Sequence, residues 1–212
     1  MGLFKWLTRA VRIDQVPVPE NTVTGTEPYL PLYVSMFVHH VLGTAMYLPA
    51  EVPREVLLAA YVNNYVGDVN NGGHYQFAGN FEWDEEVREL VREGLATLGL
   101  EEAMRIFAEL EAYARPEPDP FPGGPMDPFL NELDTRFYNG VGKAIEAANT
   151  AWIKTRPWLR PVPQEEYFQT MRIPDHPLRE ARLEQRRRQN EPALRAALLR
   201  LRESLNRKPR KP

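Results

Sequence analysis

Apolar side chains return every three or four positions through most of residues 54–155, the period of helices that each bury one face. Val56, Leu57, Ala60, Tyr61, Asn64 and Tyr65 mark the first stripe, over 54–67, with Pro53 suited to a first helical turn. A loop over 68–73 is expected next, then a short helix over 75–81. Asp84 reads as an N-cap, with Glu85 and Glu86 placed well against the helix dipole. Val87, Leu90, Val91, Leu95 and Leu98 form the buried stripe behind it, and Gly99 ends the helix. Residues 101–114 repeat the pattern through Met104, Phe107, Ala108 and Leu110. Asp127-Pro128 opens another helix that buries Phe129, Leu130, Leu133 and Phe137. Asn139-Gly140 marks a break, and Ile145, Ala148 and Trp152 carry a last body helix over 141–155. Strand patterns are nearly absent, so the expected fold is all-α: a single helical-bundle body with proline-rich loops.

The flanks differ. Residues 32–48 lack charge, but Ser35, His39, His40, Gly43 and Thr44 interrupt the run, which favours a buried core helix over a membrane span. Pro17, Pro19, Pro28 and Pro31 make 15–31 a linker or extended arm, and six prolines with Gly123-Gly124 make 115–128 an exposed connection. Residues 157–177 are expected to be irregular. In 1–14, Leu3, Phe4, Trp6, Leu7, Val11 and Ile13 alternate with Lys5, Arg9 and Arg12, a short amphipathic helix that docks on the body or lies on a membrane surface. The charges break up any signal-peptide core, and Trp6 stands where a myristoylation signal wants Ser or Thr. From 176 onward, Leu194, Leu198, Leu201 and Leu205 stripe a basic helix. The division is therefore 1–31, an N-terminal amphipathic segment and linker; 32–158, the helical body; and 159–212, a proline-interrupted linker and basic helical tail.

Charge sharpens this division. Residues 1–153 hold 10 Lys+Arg against 22 Asp+Glu, while 154–212 hold 16 against 7, so the net charge of −3 over 212 residues hides an acidic body and a basic tail. Between Glu82 and Asp134, 15 carboxylates meet four arginines. The chain has no cysteine, which excludes thiol catalysis, thiolate zinc sites and a disulfide framework and fits a reducing cytoplasm.

Candidate chemistry is sparse. No histidine falls in a metal-ligand spacing, and no phosphate loop or nucleophile elbow is present, so no catalytic residue, cofactor or metal is expected. The acidic run Glu82, Asp84, Glu85, Glu86, Glu89, Glu93, Glu101 and Glu102 reads as a solvated face or a surface for a basic partner. In Asn70-Asn71-Gly72-Gly73-His74, with Gln76 and Asn80 four apart on one helix face, the glycines supply positive φ. The amides either clamp that backbone or read a ligand. On the tail, Arg186, Arg187, Arg188, Arg207, Lys208, Arg210 and Lys211 suit phosphate, an anionic membrane or the protein's own acidic surface.

Tyr61-Val62-Asn63-Asn64, the run from Asn70 to Phe77, Asn80, the segment 95–99, Leu133-Asp134 and Phe137-Tyr138 together resemble the DNA-mimic-protein-like family, a bacterial α-helical domain with an NGG turn followed by Gln and Asn. The likeness spans about 54–158. It implies a non-enzymatic protein whose carboxylates stand in for phosphates on a DNA-binding partner; His74 departs from the aromatic usual after the glycines. Three readings follow: such a binding protein in the cytoplasm, alone or as a homodimer; a small-molecule binder or enzyme using the Asn/Gly/Gln loop; or nucleic-acid or membrane contact through the tail.

Overall fold

The computed structural model describes residues 12–25, 29–115, 120–171 and 173–189. The described chain is built of helices with one small sheet: β1 (Val16–Pro19), α1 (Glu20–Thr24), α2 (Leu30–His39), α3 (Arg54–Asn80), α4 (Glu85–Leu98), α5 (Glu101–Tyr113), α6 (Pro128–Arg136), α7 (Gly142–Lys154), β2 (Leu159–Val162) and α8 (Gln164–Thr170). A further helix, α9, runs over 179–189. No helix among the described residues is long and apolar enough to cross a membrane.

The long helix α3 is the axis of the body, packed by α2, α4, α6 and α7. Its first half joins α2, β1 and the end of α7 in one core, where Val34, Phe37, Val56, Ala60 and Ile153 are fully buried. The second half joins α4, α5 and α6 in another, around Tyr65, Phe77, Leu95, Ile106, Phe107 and Phe137. Two polar contacts cross the helices of this body: Ser35 donates to the Asn64 amide oxygen across α2 and α3, and Asn149 donates to the Ala59 carbonyl.

The expected capping holds. The Asp84 carboxylate accepts the Glu86 and Val87 amides, Gly99 ends α4 in the left-handed conformation, and Asp127 accepts the Phe129 and Leu130 amides ahead of Pro128. Four other expectations need correction. The arm over 15–31 contains a strand, β1, whose Val16 and Val18 are fully buried and which pairs in parallel with β2, Val16 opposite Leu159. Prolines at 17, 19 and 161 fit a two-stranded sheet because each strand keeps a free edge that needs no ladder donor. The stretch expected to be irregular over 157–177 contains β2 and α8, whose Tyr167 is fully buried with its ring edge-on to Tyr33 at 4.9 Å. The turn over 115–128 is not wholly exposed, since Phe121 is buried against Trp83 and Tyr113. The loop at 68–73 is helical, and only Gly72 and Gly73 depart from helical backbone inside α3.

Residues 32–48 are helical to His39, widen to a π-turn over His40–Thr44, and reverse at Met46, which holds a positive φ of 63°. Of the basic tail, Arg186, Arg187 and Arg188 are exposed on α9. Arg207, Lys208, Arg210, Lys211 and the leucine stripe lie outside the described residues, as does the segment 1–11.

Candidate functional site

The break in α3 gathers most of the residues that carried the family resemblance. Gly73 stands at φ 75°, which takes its amide out of the helical ladder. The Tyr138 hydroxyl enters the gap, donating to the Val69 carbonyl at 2.6 Å and accepting the Gly73 amide. Val69 and Gly73 are the i, i+4 pair that an unbroken helix would join directly, so one tyrosine replaces the missing bond. Asp134 closes the other side: a Cβ on Gly73 would collide with its carboxylate, and its Oδ1 accepts the His74 amide at 2.9 Å.

His74 is fully buried. Its Nδ1 faces the same Asp134 oxygen at 2.5 Å and its Nε2 faces the Tyr65 hydroxyl at 2.9 Å. Burial pushes the Tyr65 phenol far above its ordinary range, with a smaller push from the Asp134 charge, so it stays protonated and donates to Nε2. That fixes the tautomer with the proton on Nδ1 toward the carboxylate. Edge-on rings of Phe77, Phe107 and Phe137, all within 5.6 Å of Tyr65 by centroid, enclose the network. Asp134, His74 and Tyr65 form a hydrogen-bonded chain whose ends are occupied, which ties α3 to α6. The other loop residues lie outside it. Gln76 folds its amide over Gly72, Asn80 donates to Asp68 at 2.8 Å, Asn70 reaches Glu146 at 3.4 Å, and Asn71 is exposed. Sequence reasoning did not single out Tyr65, Asp134 and Tyr138 as one unit; the resemblance carried Asp134 and Tyr138 without their roles.

The acidic run lies on α4 and α5 except for Glu82 and Asp84, which stand in the turn ahead of α4, and much of it is answered by arginine. Arg54 of α3 reaches Glu93 and Glu89 on α4, Arg92 of α4 reaches Glu111 on α5, and Arg136 at the end of α6 takes Glu102 and Glu109 on α5. Arg88 pairs with Glu85 and also stacks over Trp83. These contacts raise the Arg54, Arg92 and Arg136 guanidinium values and hold Glu109 below its ordinary range, chiefly through hydrogen bonds. Glu82, Glu86 and Glu101 enter no ion pair among the described residues.

The start of the tail docks elsewhere. Arg182 bonds both Glu51 carboxylate oxygens, at 2.7 and 2.8 Å, and the Met46 carbonyl, while Arg179 bonds the Thr44 carbonyl. His176 is buried against Tyr47, and its amide donates to Ala45. The Arg182 hydrogen bonds depress the Glu51 carboxyl against the opposing effect of burial. α9 is thus anchored on residues 44–51, away from α4 and α5. Among the described residues no cluster of His, Asp and Glu is placed to hold a metal ion.

These features define a small helical domain with a polar buckle at its centre and an acidic flank. The chain belongs to the DMP19-like protein family, whose model matches residues 50–156, half its length, from the foot of α3 to just past α7. No curated protein and no solved structure matches it.

Proposed function

We propose that the protein is a non-enzymatic binding protein whose α4–α5 flank engages a basic, DNA-binding partner, as the DNA-mimic character of its family implies. The observation that carries this reading is the carboxylate excess left after internal pairing. Glu82, Glu86 and Glu101 enter no ion pair among the described residues, and arginines from α3, α4 and α6 hold the neighbouring glutamates in place across helix boundaries. A mimic of phosphate spacing needs its charges fixed as well as numerous, because an ordered charge pattern selects a partner and speeds encounter. The proposed contact set is therefore Glu82, Glu86 and Glu101 foremost, with Glu85, Glu89, Glu93 and Glu102 at its edges and Asp84 kept for capping. Burial of His74 speaks for the structural role of the Asn/Gly/Gln segment rather than for a ligand there.

The test is a nuclease-treated capture from source-cell lysate with the immobilised full chain, eluted with duplex DNA. DNA-binding proteins should be retained at low salt and released by the duplex, and the triple variant Glu82→Lys, Glu86→Lys, Glu101→Lys should lose at least 90% of that capture. Equal capture by the triple variant would sink the proposal.

A further inference from the structure

Helix α2 presents an uncharged face to solvent. Tyr29, Leu32 and Met36, spaced by three and four, are 50%, 44% and 37% exposed, with Tyr33 half-buried beside them. Phe168, 56% exposed on the adjoining α8, is linked to this face through the rings of Tyr167 and Tyr33. From 30 to 48 the chain holds no Asp, Glu, Lys or Arg. A helix that faces water normally shows charged residues on its outer side, and a contiguous apolar patch marks a surface made to be covered.

We propose that the chain's own residues 1–11 cover it. On a helical wheel Leu3, Phe4, Leu7, Ala10 and Val11 fall on one side, while Lys5 and Arg9 fall on the other. Eleven helical residues extend about 16 Å at about 1.5 Å per residue, a match for the roughly 15 Å of α2. The tether is also in the right place. The Ile13 amide is bonded to the Glu51 carbonyl at 2.9 Å, Ile13 shares a core with Leu30, Val34 and Phe37, and β1 packs directly on α2. A segment attached with no intervening linker meets this face at an effective concentration of order mM. Its two basic residues then point to solvent, and the uncharged face beneath neither repels nor requires them.

The absence of cysteine makes the test clean, because Met36→Cys in the full chain installs the sole thiol. Its alkylation rate by iodoacetamide is compared with that of the same chain also bearing Phe4→Glu and Leu7→Glu, with circular dichroism melts confirming that both are folded. The expected result is alkylation at least ten times slower with the native N-terminal segment, independent of protein concentration, and the same pattern at a second reporter, Leu32→Cys. Equal rates at both reporters would overturn the proposal. So would protection that grows with protein concentration, which assigns the face to a second copy, or protection that appears only with phosphatidylglycerol vesicles. Protection abolished by Leu198→Glu and Leu201→Glu, but not by the N-terminal changes, would transfer the face to the C-terminal stripe and overturn it equally.

Discussion

Gly72 and Gly73 share one break in α3 and are held there for different reasons. Gly72 has an extended φ of −161°, which any residue adopts, and a Cβ there meets the flexible Gln76 side chain. Gly73 has a positive φ, and a Cβ there meets the Asp134 carboxylate that is already bonded to His74. Gly73→Ala should therefore cost about 3 kcal/mol or more, from backbone strain plus a disrupted buried charge contact, while Gly72→Ala should cost about 1 kcal/mol or less. Urea unfolding of the two variants gives the comparison directly. Tyr138→Phe removes the hydroxyl that joins Val69 to Gly73 and leaves a carbonyl and an amide without it. A loss of about 1–2 kcal/mol is expected by the same measurement.

At the scale of elements, the sequence was most legible where local chemistry decides the outcome. Asp84, Gly99 and Asp127 each announce a helix end because their side chain or backbone freedom acts on the next few amides. β1 and β2 were hidden because prolines demote a strand and because each strand's partner lies at the far end of the body. The break at Gly72-Gly73 was visible as a break. How its two helical halves are joined depends on Tyr138 and Asp134, sixty or more residues away, which no local pattern reveals. The anchoring of α9 was equally non-local, since Glu51 and Arg182 carry no motif. Glu51 titrates below its ordinary value of 4.5 in the folded protein, so its contribution is complete above about pH 5 and disappears as pH falls through the depressed folded value. Protection against hydrogen exchange over 176–182, taken relative to the intrinsic exchange rate at each pH, should accordingly be weaker at pH 3 than at pH 7. Arg182→Met should produce the same loss of protection at pH 7 and remove most of the pH dependence of that protection.

For the whole molecule, two cores share one axial helix, and the acidic flank sits outside the second of them. Its surface ion pairs contribute little to stability, of the order of 0–1 kcal/mol each, so they act mainly on how much negative charge the flank presents. Arg105 pairs with Glu102 within a single helix and holds no second element in place through that contact. Arg105→Gln should change unfolding free energy by no more than about 0.5 kcal/mol while retaining the captured partner to a higher salt concentration. A partner released at lower salt by this variant would mean that the flank does not work through its net charge.

The parallel pairing of β1 with β2 also bears on how the chain is made. Val16 and Val18 leave the ribosome well ahead of the strand that seals them, Leu159–Val162, which is synthesised only after α2 to α7. Vectorial folding therefore proceeds with an apolar strand left open while α3 to α7 condense. The nascent polypeptide becomes a closed native unit only once β2 has emerged, and a ribosome stalled before β2 would hold a sticky intermediate of the kind that chaperones bind.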